Sequence, residues 1–391
     1  MKVCLDSRLV KKGEYFVPVK GDVLDGHKFI GGALKKGAAG IIEEKELYKL
    51  AEDKLKKTNP IVIGIAGSVG KSTFRTYLIQ VLSEKYKVLD GFLNTKLGLA
   101  TIIVNNLTNH EVFIAELGID RLGEMKQVTD FIRPTFSVIT KLEKEHLQFL
   151  GNLDNVISEN LVCIKNSKNK MGYINIKDKK IVEEHIHDLN VNYFSSNDIN
   201  LDIPEHENNY LGCIKMIATE KFDFTDADFK KALNFIERPK GRLNLIKGKK
   251  GSLIVDDSYN AVCDTSVIEG IKYAKNIAEK YNKNLNIILS PLRETGDTEQ
   301  VQHKNVAEFL NKINTKNIYL CGEKSNLYSD CLTKPFVIFE DSSKAKISMS
   351  SSDLFYVKGS QFYRMENIVK KLMDPNLKAK DILVRQDVRW K

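Results

Sequence analysis

Strand–helix alternation along most of the chain predicts an α/β protein of three domains, on three observations. Its 391 residues exceed what one hydrophobic core ordinarily supports. From Pro60 onward, continuous apolar runs of the kind buried on both faces of a parallel sheet alternate with amphipathic stretches. The alternation breaks and restarts at Pro239-Lys240-Gly241, where proline and glycine suit a joint. The expected domains are therefore 1–58, 59–239 and 240–391, with a mostly parallel sheet in each of the two larger ones.

The elements follow in order. In the first domain FVPV is a strand candidate, and HKFIGGALKKGAAGIIEE reads as a helix, a glycine stop and a second strand. PIVIGIAG opens the central domain as a fully buried strand, and KSTFRTYLIQVLSEKY follows as an amphipathic helix. VFIAELG and FSVIT are further strands with a helix over 123–132 between them; 152–164 reads as a helix and GYINI as a strand. In the last domain SLIVDD, NIILS, NIYLCG, FVIFE and LFYVKG are strands, and 265–281, 298–313 and 366–373 are helices.

Composition narrows the function classes. Hydrophobic residues at 42% and charged residues at 28% fit an ordinary soluble globular protein. No apolar run approaches the ~20 residues of a membrane span, and the first residues lack the apolar core of a signal peptide. A cytoplasmic protein is expected. The cysteines Cys4, Cys163, Cys213, Cys263, Cys321 and Cys331 form no CxxC pair and no zinc-spaced cluster with histidine, so they read as reduced, mostly buried small hydrophobes. A net charge of +9 fits nucleic-acid binding, capture of small anions, or simply a lysine-rich proteome. The lysines are scattered, aromatic residues do not interleave with them, and no nucleic-acid motif is present, which excludes nucleic acid and favours small anionic ligands.

The strongest local signal is GIAGSVGKST, residues 64–73, between a buried strand and a helix. Gly67 and Gly70 allow a tight turn and close approach of the backbone to phosphate oxygens, with Ser68 and Val69 between them. The helix N-terminus adds free N–H groups and partial positive charge. Lys71 can reach the β- and γ-phosphates, and Ser72 can ligate magnesium with Thr73 behind it. The usual GxxxxGK[ST] spacing is not met, because Ile65 stands where its first glycine belongs; a glycine-rich strand–helix turn is the plainer alternative. Glu116, ending FIAELG, sits where a magnesium ligand would be needed.

These residues resemble the ATP loop of the Mur ligases, above all the branch that adds D-alanyl-D-alanine to UDP-N-acetylmuramoyl-tripeptide. The resemblance runs along nearly the whole chain. LDSRLVKKGEYFVPVKGDVLDGHKFIGGALKKGAAG looks like the family's uridine-nucleotide domain, and NTKLGLA like its NNEIG-type loop. Residues 114–156 match its central core, 240–265 its KGR and DDSYNANP motifs, and LRETGDTEQVQHKNVAEFL and DLFYVKGSQFYRMENIVKKL two C-terminal segments. The implied architecture is a small N-terminal substrate domain, expected to be shortened here, a central P-loop ATPase domain and a Rossmann-like C-terminal domain. A monomer is expected.

By position, the resemblance implies that Gly67, Gly70, Lys71, Ser72 and Thr73 hold the triphosphate of ATP and that Glu116 and His146 help bind Mg2+. It implies that Arg242 reaches the γ-phosphate, that Asp257 contacts the ribose, and that Tyr259 and Asn260 lie beside the nucleotide. Ser7 and Arg8 fall in the uridine-diphosphate region, Asn94 in a substrate loop, and Lys358 in a loop facing the active site. In the family the helix after the histidine carries a carbamylated lysine that bridges magnesium; the corresponding Asn160 cannot be carbamylated and carries no charge. EHENNYLG departs from the family's histidine–asparagine motif, and Ser290-Pro291-Leu292 and Val262-Cys263 replace family residues near the incoming amine. The implied chemistry transfers the γ-phosphoryl group to a carboxylate, and an amine then attacks the acyl phosphate. Lys71, Arg242 and magnesium offset the repulsion between the anionic partners. Two alternatives remain: a related ligase with another acid and amine, such as a folylpolyglutamate-type or cofactor-forming enzyme, and a nucleotide-binding scaffold that has lost ligation.

Overall fold

A computed structural model describes residues 1–21, 24–145, 147–196, 199–387 and 390. The chain divides into two compact units. One comprises Met1–Leu142, Ile157–Ile199 and Asn209–Ile236; the other comprises Glu143–Val156, Asn200–Asn208 and Glu237–Lys391.

The first unit holds two sheets. The smaller is parallel, in the order β1 (Val3–Cys4), β2 (Tyr15–Phe16), β3 (Gly40–Ile41). The expected strand FVPV enters the ladder only at Phe16; two residues on, Pro18 has no N–H to donate. Ala33 on the helix Ile30–Lys35 packs with Val10 and Phe16 beneath this sheet. Asn105 brackets β1, accepting from Val3 N at 2.8 Å and donating to Val3 O at 2.9 Å.

The larger sheet contains β4 (Ile61–Ala66), β5 (Val88–Gly91), β6 (Val112–Glu116), β7 (Phe136–Ile139), β8 (Met171–Asn175) and β9 (Asn190–Phe194). All pair in parallel, in the order β5-β6-β4-β7-β8-β9. The strand order therefore reverses direction at β4, which creates a crevice at the carboxyl ends of the central strands, the usual ligand position in such sheets. The helix Lys71–Leu82 after β4 buries Phe74, Tyr77, Leu78 and Val81. The segment NTKLGLA, which resembled a loop, is largely helical: Thr95 caps the helix Lys96–Asn106 by accepting from Gly98 N at 3.1 Å.

The second unit is built on β10 (Asn244–Lys247), β11 (Leu253–Asp257), β12 (Asn284–Leu289), β13 (Asn317–Cys321), β14 (Val337–Phe339) and β15 (Asp353–Lys358). Their order is β10-β11-β15-β12-β13-β14, parallel except for β10. The period-2 alternation of strands sorts the core onto two faces. Val255, Ile287 and Tyr356 meet Ile271, Ile277, Val306 and Leu310 from the helices Asp264–Lys280 and Glu299–Lys312. Ile254, Ile288, Phe355 and Val357 meet Ile368, Val369 and Leu372 from the helix Glu366–Leu372. Among the described residues, no helix is long and apolar enough to cross a membrane.

Candidate functional site

The carboxyl end of β4 leads directly into the glycine turn. Ile65 is a fully buried strand residue, so the strand continues through Ala66 and the turn is confined to Gly67–Gly70. Both glycines have positive φ, +119° and +91°. Both are also crowded: a Cβ on Gly67 would lie 2.6 Å from Thr140 Oγ1, and one on Gly70 would lie 1.9 Å from the Tyr210 hydroxyl oxygen. Neighbouring strand ends hold the turn. Thr140 Oγ1 donates to Val69 O at 2.7 Å and to Ala66 O at 3.2 Å. Ser68 N donates to Lys141 O at 2.7 Å, and Gly67 N to Asn160 Oδ1 at 2.8 Å. The Lys71 ammonium rests on Gly67 O, over the turn it follows.

At the second residue of the helix, Ser72 Oγ donates to Glu116 Oε1 at 3.0 Å. The other carboxylate oxygen accepts from Arg75 Nε at 3.0 Å, and Arg75 also pairs with Asp90. Thr73 is buried behind Ser72. Ser72 and Glu116 place two oxygen donors side by side, the ligand type that a hard cation such as magnesium takes. His146 lies outside the described residues, and among those described no cluster of three metal-binding side chains occurs.

Asn94 is exposed beside the end of β6. Its backbone carbonyl accepts from Gly118 N at 3.0 Å, and a Cβ on Gly118 would meet its Nδ2 at 2.4 Å. The segment after β7 is anchored through Asp178, which takes Lys141 Nζ at 2.6 Å and Leu142 N at 2.8 Å. Burial pushes the Asp178 carboxyl up, and Lys141 pulls it back. Ser7 is half-buried and Arg8 exposed in the connection from β1 to β2; the Arg8 guanidinium clasps Asp6, with Nη2 2.8 Å from Oδ2.

In the second unit the singled-out residues gather at the ends of β11 and β15. Asp257 and Lys358 are both buried and paired, Nζ to Oδ2 at 2.7 Å, with the Tyr356 hydroxyl donating to the same oxygen at 3.0 Å. Lys358 is the last residue of β15 rather than a loop residue. The Arg242 guanidinium lies 4.3 Å from the centre of the Tyr259 ring. Among the described residues, Arg242 Nε is buried with no hydrogen-bond partner, a donor that favours an anion. Asn260 Oδ1 accepts from Ala261 N at 2.9 Å. Arg385 donates to Ser258 O at 3.2 Å and to Tyr259 O, and pairs with the buried Glu366 at 3.2 Å, fixing the loop that carries Tyr259.

Sequence reasoning passed over Arg75, Thr140, Tyr210, Tyr356 and Arg385. Thr140 ends the FSVIT run and Tyr356 lies inside LFYVKG, so each was visible as part of an element; their partners 71 and 99 residues away were not.

Family models match most of the two N-terminal thirds of the chain: that of the Mur ligase family catalytic domain at residues 2–73, and that of the Mur ligase middle domain at 65–223. The UDP-N-acetylmuramoyl-tripeptide--D-alanyl-D-alanine ligase of Bacillus subtilis (strain 168) is 25% identical, over 96% of this chain and 93% of its own. Among solved structures, MurF from Acinetobacter baumannii superposes with a TM-score of 0.82 at 20% identity, covering 95% of this chain and 92% of that one. The MurF ligase of Thermotoga maritima in complex with ADP gives 0.76 at 22% identity, covering 94% and 96%.

Proposed function

Because this chain belongs to the Mur ligase family, we propose that it is a cytoplasmic ATP-dependent ligase joining D-alanyl-D-alanine to UDP-N-acetylmuramoyl-tripeptide. The name of the Bacillus subtilis relative, matched along 93% of its length, supports this choice of acid and amine. The observation that carries the chemistry is the Gly67–Gly70 turn with Ser72 and Glu116 3.0 Å apart at its mouth.

In this reading the amides of the turn and of the first helical turn receive the β- and γ-phosphates. Lys71 leaves Gly67 O to neutralise charge on the group in transfer. Ser72 and Glu116, with His146 by resemblance, would hold magnesium, which draws electron density from phosphate oxygens. Arg75 Nε, 3.0 Å from Glu116 Oε2, holds that carboxylate in its orientation. Arg242, with its unpaired buried Nε, takes an anionic phosphate group. Asp257, Tyr259 and Asn260 line the nucleoside, and Ser7, Arg8, Asn94 and Lys358 serve the other substrates. The acceptor carboxylate has no leaving group until it is phosphorylated; the amine then attacks the acyl phosphate and releases phosphate.

The test is phosphate release from ATP and magnesium with UDP-N-acetylmuramoyl-tripeptide, with and without D-alanyl-D-alanine. Dipeptide-dependent release is expected. Release only with other amines would move the assignment to a different member of the family, and retention of nucleotide without release would leave a scaffold.

A further inference from the structure

We infer that Asn160 is a positioning residue for nucleotide binding: its carboxamide oxygen fixes the Gly67 peptide and so the direction of the amides that follow. The inference rests on the nucleotide-binding reading above.

Asn160 projects from the helix Leu153–Lys165 and is 1% exposed. Its Oδ1 accepts from Gly67 N at 2.8 Å, across 93 positions of sequence. That amide is the first beyond β4, where strand pairing ends. A buried peptide N–H without an acceptor is costly, so an acceptor here decides whether the peptide keeps this orientation. The orientation matters because Gly67 sits at φ +119°, where a Cβ would lie 2.6 Å from Thr140 Oγ1 and 3.0 Å from Lys141 O, so only glycine fits this turn.

The chemistry of the acceptor is equally specific. A carboxamide oxygen serves the amide as acceptor without charge, where the resemblance implies an anionic carbamate. The preceding residue makes the contrast. Glu159 Oε1 accepts from Met125 N at 2.8 Å, so the helix offers a carboxyl acceptor to the start of Glu124–Ile132 and a carboxamide acceptor to the phosphate turn. Thr140 fixes the carbonyls of Ala66 and Val69 while Asn160 fixes the intervening N–H, so both edges of the turn are held by the protein itself.

The experiment uses the full chain with Asn160→Leu, similar in size without an acceptor, and Asn160→Asp, which keeps an acceptor and adds charge. Hydrogen exchange of a peptide spanning Gly67 and titration with ADP and ATP in magnesium are the readouts. Asn160→Leu is expected to raise exchange in that peptide and weaken ADP about tenfold, leaving the KM of the acceptor substrate unchanged. Asn160→Asp, which keeps the acceptor, is expected to retain wild-type protection and ADP affinity. Wild-type exchange and ADP affinity in Asn160→Leu would overturn the inference. Should that variant not fold, loss of Gly67 protection in Asn160→Asp would overturn it equally. Failure of the wild-type chain to bind ADP would instead remove the ligase reading, and the exchange measurement would still decide whether Asn160 holds the turn.

Discussion

Asp257 and Lys358 are buried together at the ends of two parallel strands, and neither charge has bulk water to fall back on. Removing one partner leaves the other uncompensated, so Lys358→Met should destabilise the protein by about 3 kcal/mol in urea titration. The double variant with Asp257→Asn should lose clearly less than the sum of the two single changes. Next to this pair, Asp256 is fully buried, and desolvation raises its carboxyl from 3.8 to about 6, with Asp257 and Glu366 adding to the rise against the Ser258 hydrogen bonds. The folded chain therefore binds more proton than the unfolded chain between those values, and this group's contribution to stability falls as pH rises through that window. Asp256→Asn should be more stable than wild type at pH 8 by up to about 3 kcal/mol, with the difference shrinking towards pH 4. An equal difference at both pH values would refute the argument. The two neighbours differed in legibility. Asp257 could be singled out by motif; the charge state of Asp256 depends on burial beside Glu366, 110 positions later, which spacing does not encode.

At the scale of elements, what could be read followed how much apolar surface an element presents. PIVIGIAG and VFIAELG announce themselves because both faces are buried. The helix Glu44–Thr58 did not, because only Leu47 and Ala51 are buried among many charges. β10 was missed for a related reason: it is an edge strand with Ile246 alone buried, and it runs antiparallel after the joint at Gly241. The glycine turn was legible in type, but its boundary was not, since Ile65 proved to be strand. The turn also yields a paired prediction. Gly70 and Gly123 have nearly equal positive φ, +91° and +87°, yet a Cβ meets Tyr210 at the first and nothing within 4 Å at the second. Gly123→Ala should cost only the backbone term, about 1 kcal/mol. Gly70→Ala adds a clash with a buried ring and should cost at least about 2 kcal/mol more. Equal midpoints in denaturant would show that Tyr210 does not confine the turn.

For the whole molecule, alternation foretold two mostly parallel sheets, and both are present with their predicted strands. It did not foretell that β4 would lie between β6 and β7, because strand order is set by which faces pack rather than by local pattern. That placement puts the glycine turn, Glu116 and Thr140 at one sheet edge, and it makes nucleotide binding a property of the folded chain alone. Ligand that binds only the folded state stabilises it by about 2.7 kcal/mol at a hundredfold excess over Kd. For a unit of this size that corresponds to a rise in Tm of about 5–10 °C. ADP with magnesium should therefore shift the melting transition of the wild-type chain. Lys71→Met should lose most of this shift while melting close to wild type without ligand, since the lysine rests on Gly67 O of its own turn rather than in the sheet's core. A variant that melts lower without nucleotide, or shifts as far with it, would mean that Lys71 supports the fold rather than the phosphate.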